Sequence, residues 1–232
     1  MRIPTALMIV AAAFWSLPAI AQDGADRTVQ AADGRIIAAS ASYGPFKVID
    51  ETRAQLNGVT DERSPAQFAA LLRDFPRLAI LEMQESPGTF DDRANLRLGR
   101  MIRAAGIITH VPAGGSVRSG GVELFLAGVE RRIDDGAEFA VHAWEDDSGL
   151  EATDYAANAP ENSKYLAYYR EMGMSDGQAS AFYAMTNSVP HDQARWLDAA
   201  EMRRWLGHGG SLKQNVPAPP RLAYLDLNAL LN

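Results

Sequence analysis

Ser119 lies in a run of small residues, Gly114 to Gly121, which the pattern places between a strand and a short helix. A serine at the start of a helix can project its hydroxyl into a cleft. The backbone N–H groups beside it have no partner within the helix, so an oxyanion can bind them. This combination suits nucleophilic attack on a carbonyl carbon. The commoner role of a serine at this position is to cap the helix, and the local pattern alone favours that role.

His142 ends a short apolar run, Phe139 to Val141, that is typical of a strand. An imidazole at the end of a strand can reach a neighbouring loop and act as general base for a hydroxyl nucleophile. The alternative is a structural histidine whose ring nitrogens are satisfied by hydrogen bonds. The other three of the four histidines lie in a strand run, a Pro-His-Asp loop and a glycine-rich terminus, and they form no spaced pair.

The composition excludes several kinds of chemistry. The chain of 232 residues has no cysteine, which rules out a disulfide framework, a thiolate metal site and a cysteine nucleophile. No His-Glu-x-x-His motif is present either, so we expect no metal and no other cofactor. With 22 basic and 29 acidic residues the net charge is −7, and we therefore expect no nucleic-acid partner, since such proteins need a basic face.

Strands and helices that must position Ser119 and His142 alternate along the chain. Strands are predicted over 46–50, 54–60, 78–83, 107–111, 130–133 and 138–142, and helices over 64–74, 92–105 and 120–127. Such an order predicts an α/β fold in which crossover connections make the strands parallel. Ligand sites then lie at the carboxyl ends of the strands, so the loops after Met83 and Val111 should meet at one edge.

Capping patterns mark the remaining helices. Ser64 with Gln67, and Ser175 with Gln178, each fit a capping box, and Asp198 is a predicted N-cap. The pattern places helices over 160–172 and 175–187, which form a helical insertion at about 158–188, and it places a terminal strand over 221–227.

The first 21 residues are typical of a secretory signal peptide. Arg2 supplies a positive charge, residues 6–17 carry none, and Ala19-Ile20-Ala21 fits a cleavage site. A membrane anchor, the alternative, needs about 20 apolar residues, and the apolar run here is shorter and is interrupted by Pro18. We therefore predict cleavage after Ala21, a periplasmic location and no stable membrane anchor afterwards. The predicted mature chain has an N-terminal extension over 22–45, one domain over 46–210 and a C-terminal tail over 211–232.

Three segments then carry a likeness to a known family. The chain contains, in order, Ser86-Pro87-Gly88, the run Val117 to Gly128, and Phe139 to His142. Together they resemble the Clp protease proteolytic subunit, and more closely the exported Clp-like proteins of Gram-negative bacteria, within the Clp/crotonase superfamily. The resemblance spans residues 46–207. It implies repeated ββα crossover units with a helical insertion.

The resemblance also implies roles for individual residues. Ser119 falls at the position of the nucleophile and His142 at that of the base. The backbone of Gly88 and Gly120 falls where the family donates its oxyanion hole, and Asp192 is our prediction for the residue that orients the imidazole. Together they predict an exported, ATP-independent serine hydrolase, a peptidase that acts on peptides or proteins.

Other interpretations remain open. Thr89 replaces the second glycine of the family's oxyanion loop, and Arg118 stands where a small residue usually precedes the nucleophile. A catalytically inactive binding or assembly protein of the cell envelope is therefore the alternative. Coenzyme A thioester chemistry is disfavoured because its substrates are cytosolic. Counting back from Leu197 places the third catalytic residue nearer Ala194 than Asp192, and the sequence does not say whether a homo-oligomer forms.

Overall fold

The computed structural model describes residues 28–30, 36–38 and 41–207. The chain divides into two units, Met1–Ala39 and Ser40–Asn232. In the first, strands β1 (Thr28–Gln30) and β2 (Ile36–Ala38) form an antiparallel pair. The predicted signal peptide, C-terminal tail and terminal strand lie outside the described residues. Within those residues, no helix has the length and apolar character needed to cross a membrane.

The second unit combines one mixed sheet with helices. Its described strands are β3 (Ser42–Tyr43), β4 (Phe46–Asp50), β5 (Arg53–Asn57), β6 (Ile80–Ser86), β7 (Ile108–Val111), β8 (Ser116–Arg118), β9 (Arg131–Ile133), β10 (Glu138–Val141) and β11 (Arg195–Asp198). Its described α-helices are α1 (Ser64–Asp74), α2 (Asp92–Ala104), α3 (Gly120–Leu126), α4 (Pro160–Glu171), α5 (Asp176–Thr186) and α6 (Ala199–Trp205).

The sheet divides at β6. The first half of β6 pairs with β7, which continues to β9, whereas its end pairs with β8, which continues to β10 and β11. All pairs from β5 to β10 are parallel, and the antiparallel pairs lie toward the ends at β3 and β11. Helices α1, α2 and α3 connect the parallel strands, and α4 and α5 lie between β10 and β11. The predicted α/β fold of crossover units with a helical insertion is confirmed.

Local capping signals explain several element boundaries. Ser175 and Gln178 form the predicted capping box of α5, and Asp198 caps α6 by accepting a hydrogen bond from the backbone N–H of Glu201. Helix α2 ends at Ala104 and is followed by Gly106 with φ of +70°, a conformation that costs glycine little. These predictions are confirmed. They could be made from the sequence because each cap involves residues that are close together along the chain.

Other local predictions are wrong. The hydroxyl of Ser64 does not cap α1, which has Arg63 as its N-cap; it donates instead to Asp61 Oδ1 at 3.1 Å. Strands β8 and β11 were not predicted. Each has three or four residues, too few for a periodic pattern, and each forms by pairing with β10. Strand β6 begins at Ile80 rather than 78 and continues to Ser86, where it pairs with β8.

Close packing of helices surrounds the segment that follows β8. Gly99 of α2 leaves room for Tyr168 of α4, since a Cβ atom on Gly99 would lie 1.9 Å from the tyrosine oxygen. The Tyr168 hydroxyl donates to the carbonyl of Glu123 on α3 at 2.7 Å. The helical insertion is thereby packed against the two helices that flank the candidate site.

Candidate active site

Ser119 links the end of β8 to the start of α3 in a strained conformation. Its φ is +48° and its ψ is −131°, and it has the only positive φ among the described residues other than glycine. Such backbone strain costs about 1–3 kcal/mol and is concentrated at functional sites. The Ser119 N–H donates to the carbonyl of Ala140 at 2.9 Å, and the Ser119 carbonyl accepts from the N–H of Val122 at 2.9 Å. The side chain forms no capping hydrogen bond with α3, so the hydroxyl is left for another role.

The strain can be measured by two substitutions. We expect Ser119→Gly to be more stable than Ser119→Ala by about 1 kcal/mol, because glycine adopts a positive φ without steric cost and alanine does not. Urea unfolding of both variants gives the difference. Equal stabilities, or a more stable alanine variant, would show that this backbone carries no strain.

Gly88 and Gly120 lie beside Ser119. A Cβ atom on Gly88, whose φ is +136°, would lie 3.1 Å from Ser119 Cβ and 3.3 Å from its Oγ. A Cβ atom on Gly120 would lie 2.7 Å from Cγ2 of Thr89. Within the described part of the chain, neither glycine N–H donates to another protein group. Two amides next to one hydroxyl are the donors that an oxyanion on a substrate carbonyl requires.

Two buried side chains hold the backbone of these glycines. The Thr60 N–H donates to the carbonyl of Gly88 at 3.0 Å, and the Thr60 hydroxyl donates to Asn95 Oδ1 at 3.0 Å. Asn95 Nδ2 in turn donates to the carbonyl of Gly120 at 2.7 Å. Thr60 and Asn95 are 1% and 2% exposed. One connected network therefore fixes both glycines, as preorganised oxyanion donors require.

Sequence reasoning missed this network. Asn95 lies on the buried face of α2 with Leu98 and Ile102, at spacings of three and four residues. A polar residue on an apolar helix face needs a hydrogen-bond partner, and that was the available signal. Its partners are 35 and 25 residues away in the sequence, so the pattern did not identify them.

His142 follows β10, the parallel neighbour of β8. The register places Ala140 opposite Arg118, so His142 lies one residue beyond the position opposite Ser119, on strands about 4.8 Å apart. Both side chains line the same cleft. His142 Nδ1 lies 2.8 Å from the carbonyl oxygen of Ala143. If Nδ1 carries the proton of that hydrogen bond, Nε2 is unprotonated and can accept a proton.

The structure does not bring Asp192 to this ring. Asp192 is exposed and does not line the cleft. A turn closed by the N–H of Gln193 and the carbonyl of Pro190 leaves it on the surface. The residue of this loop that contacts His142 is His191, with ring centroids 4.7 Å apart and planes at 83°. Asp192 was predicted to orient the imidazole, but the hydrogen-bond partner of the ring is the Ala143 carbonyl.

Of the two departures from the family pattern, Thr89 lines the cleft together with Ser119, whereas Arg118 lies outside it. The Arg118 guanidinium pairs with Glu85 and donates to the hydroxyl of Ser116 at 2.7 Å, and Arg118 does not line the cleft. Thr89 Oγ1 accepts from the N–H of Asp91 at 3.1 Å and therefore stabilises the loop before α2.

The cleft has a volume of about 520 Å³ and extends from Ser119 to a buried carboxyl group. Glu123 is 8% exposed, and its Oε1 accepts from the hydroxyl of Tyr169 at 2.7 Å. Burial raises the pKa of Glu123 from 4.5 to about 7. The nearby hydroxyl of Tyr165 donates to Asp92. Sequence reasoning did not single out these residues, which converge from α2, α3 and α4.

The raised pKa of Glu123 predicts a pH-dependent stability. The unfolded chain loses this proton near pH 4.5 and the folded chain near pH 7, so folded-state stability falls as pH rises between those values. Gln at this position has no such dependence. Compared with wild type, we expect Glu123→Gln to be more stable at pH 8, by up to about 3 kcal/mol, and nearly equal at pH 4. Urea unfolding at both pH values measures this, and a difference independent of pH would contradict it.

No family model matches the sequence, and no curated protein matches it. Among solved structures, the chain is similar to a serine-to-alanine mutant of the 1510-N membrane-bound stomatin-specific protease, with 17% identity, a TM-score of 0.45, and coverage of 66% of this chain and 74% of that one. The chain is also similar to a lysine-to-alanine mutant of the same protease in complex with a substrate peptide. The identity is 15% and the TM-score is 0.42, with coverage of 68% of this chain and 74% of that one.

A third similar structure is an asparagine-to-aspartate mutant of ClpP1 from Listeria monocytogenes. The identity is 15% and the TM-score is 0.46, with coverage of 68% of this chain and 88% of that one. Identities this low say nothing of the function of this chain.

Proposed function

We propose that this protein is an exported, ATP-independent serine hydrolase, a peptidase that cleaves peptides or proteins. One observation carries the proposal: the strained Ser119 lies in a cleft beside two backbone amides, those of Gly88 and Gly120, that have no partner among the described residues. A purely structural serine gains nothing from this conformation, whereas a nucleophile needs its hydroxyl held next to oxyanion donors.

In the proposed reaction Ser119 Oγ attacks the carbonyl carbon of the substrate while His142 Nε2 takes the hydroxyl proton. The N–H groups of Gly88 and Gly120 donate to the oxygen that becomes negatively charged. His142 then returns its proton to the leaving amine as the carbon–nitrogen bond breaks. Water, deprotonated by the same imidazole, attacks the acyl group and releases Ser119.

In this proposal the Ala143 carbonyl, rather than Asp192, holds the His142 ring. A carbonyl acceptor at Nδ1 fixes the tautomer, as a carboxylate would, but it stabilises the imidazolium less because it carries no full charge. The proposed enzyme is therefore a serine–histidine hydrolase whose third group is a backbone oxygen.

Export is supported by the residues at the N-terminus, and the class of peptidase by the family motifs around Gly88, Ser119 and His142. ATP does not occur outside the inner membrane, so an exported enzyme must act without it. A non-catalytic binding protein would be favoured if Arg118 filled the cleft, but Arg118 pairs with Glu85 instead.

Labelling with a fluorophosphonate probe tests the proposal. The probe should modify the mature protein once, at Ser119, and should leave Ser119→Ala unmodified, as intact-mass and peptide mass spectrometry would show. Ser116→Ala is the matched control, since its hydroxyl is bonded to Glu138 and does not line the cleft. Absence of labelling in wild type, or equal labelling of Ser119→Ala, would refute the nucleophile.

A further inference from the structure

The cleft continues from Ser119 along α3 into a recess that the proposed reaction does not use. We define the acidic recess by Asp92, Val122, Glu123, Tyr165 and Tyr169, all of which line the cleft. Glu123 lies four residues after Ser119 on α3, a rise of about 6 Å. Helical side chains lean toward the N-terminus, which here means toward Ser119. The acidic recess therefore lies next to Ser119, within reach of a substrate side chain beside the attacked carbonyl.

Acidic side chains outnumber basic ones around the whole cleft. Apart from histidines, its basic lining residues are Arg93 and Lys164. Its acidic lining residues are Asp91, Asp92, Glu123, Glu145, Asp146 and Asp147. A cleft lined mainly by one sign of charge concentrates ligands of the opposite sign.

The acidic recess holds one buried carboxyl group, that of Glu123, and one half-buried carboxyl group, that of Asp92. Glu123 is 8% exposed and accepts from Tyr169, and Asp92 accepts from Tyr165. No ion pair among the described residues includes Glu123 or Asp92. A buried carboxylate without a cation is costly, and a positive group that enters the recess would offset that cost.

An ammonium group already contacts the aromatic wall of the cleft. Lys164 Nζ lies 5.3 Å from the ring centroid of Trp144 and 5.0 Å from that of Tyr165. Aromatic faces attract cations at such distances. Tyr165 also belongs to the acidic recess, so its ring and the two carboxyl groups present a surface suited to a second cation.

We propose that the acidic recess binds the side chain of a lysine or arginine that precedes the cleaved bond. This inference rests on the proposed hydrolase and names its substrate class: peptides cleaved after a basic residue. The long apolar stem of such a side chain fits along Val122, and its charged end reaches Glu123 and Asp92. Because the pKa of Glu123 is about 7, the selectivity should be larger at pH 8 than at pH 6.

Peptidyl diphenyl phosphonates test the inference on the mature protein. In the reaction a bond forms between Ser119 Oγ and phosphorus, a phosphorus–oxygen bond to phenoxide breaks, and phenol leaves with the serine proton. Two probes differ only in the residue attached to phosphorus, the phosphonate analogue of lysine or of norleucine, which lacks the ammonium group. At pH 8 we expect the lysine probe to label wild type at least about 30-fold faster than the norleucine probe. The norleucine side chain would leave the buried Glu123 carboxylate without a cation, which penalises its binding.

Variants assign the selectivity to the acidic recess. Glu123→Gln should reduce the lysine-to-norleucine ratio to below about 3, and Asp92→Asn should reduce it at least about threefold. Asp147→Asn is the matched control, because Asp147 lines the same cleft but is exposed, and it should keep the wild-type ratio. Circular dichroism spectra and thermal unfolding verify that each variant is folded.

The outcomes separate the inference from the proposed function. Equal or faster labelling by the norleucine probe, or a ratio that survives in Glu123→Gln, overturns the inference and leaves the hydrolase intact. If Ser119 reacts with a simple fluorophosphonate but with neither peptidyl probe, the inference is likewise overturned and the proposed hydrolase stands. If no phosphorus probe modifies Ser119, both proposals fail.

Discussion

Ser119→Ala is expected to lower kcat by about 10⁴- to 10⁶-fold on any peptide that the wild-type protein cleaves, because the proposed acyl intermediate forms on the Ser119 hydroxyl. The dissociation constant of the same peptide should change less than about threefold, since the cleft loses a single oxygen atom. Steady-state kinetics and fluorescence anisotropy measure the two quantities. The combination distinguishes a nucleophile from a residue that merely shapes the cleft.

Ser116→Ala controls for the loss of a serine hydroxyl from this region. Ser116 is 5% exposed, lies three residues before Ser119, and is bonded to Arg118 and Glu138, neither of which lines the cleft. Its replacement should reduce stability by about 1 kcal/mol and leave kcat within about threefold of wild type. A residual rate in Ser119→Ala above about one hundredth of the wild-type rate would mean that another group attacks the substrate.

The residues of the candidate site that could be predicted are those whose chemistry is local. Ser119 and Gly88 were singled out because the short segments around them match family motifs, whereas the local pattern alone favoured a helix-capping role for Ser119. The helix boundaries at Ser175 and Asp198 followed from caps within three residues. In each case the deciding interaction spans a short stretch of sequence.

What could not be predicted depends either on contacts between distant segments or on which of several close neighbours wins a hydrogen bond. Strand β8 forms because Val117 pairs with both β6 and β10, and a three-residue strand has no periodic pattern of its own. Ser64 fitted a capping box, but Asp61 competes successfully for its hydroxyl. The partner of His142 was assigned to Asp192 by family position, whereas the nearest acceptor is the carbonyl of the next residue, Ala143.

The division of β6 is what brings the parts of the site together. Its end pairs with β8, which places the Gly88 loop next to Ser119. Strand β8 pairs with β10, which places His142 one residue beyond the position opposite Ser119. The Thr60–Asn95 network then fixes the two amides through buried side chains. The proposed nucleophile, base and oxyanion donors therefore come from three adjacent parallel strands, at their carboxyl ends.

His142→Ala is expected to lower kcat by about 10⁴- to 10⁶-fold, similar to Ser119→Ala, because an unassisted serine hydroxyl is a weak nucleophile. The double variant should lose no more activity than either single variant, since the two residues act as a unit. The rates of wild type, the two single variants and the double variant on one peptide test this expectation. Losses that multiply would mean that His142 acts independently of Ser119, as a structural histidine would.

Two residues of the loop at 190–193 provide matched controls for His142. His191→Ala removes a second imidazole from the same cleft, one whose Nδ1 lies 3.7 Å from Glu145, and should change kcat by less than about tenfold. Asp192→Asn should have an even smaller effect if the Ala143 carbonyl holds the ring, whereas loss of a carboxylate that orients a catalytic histidine costs about 10⁴-fold. A loss of that size in Asp192→Asn would restore Asp192 as the third catalytic residue and require the loop at 190–193 to close on His142 during the reaction.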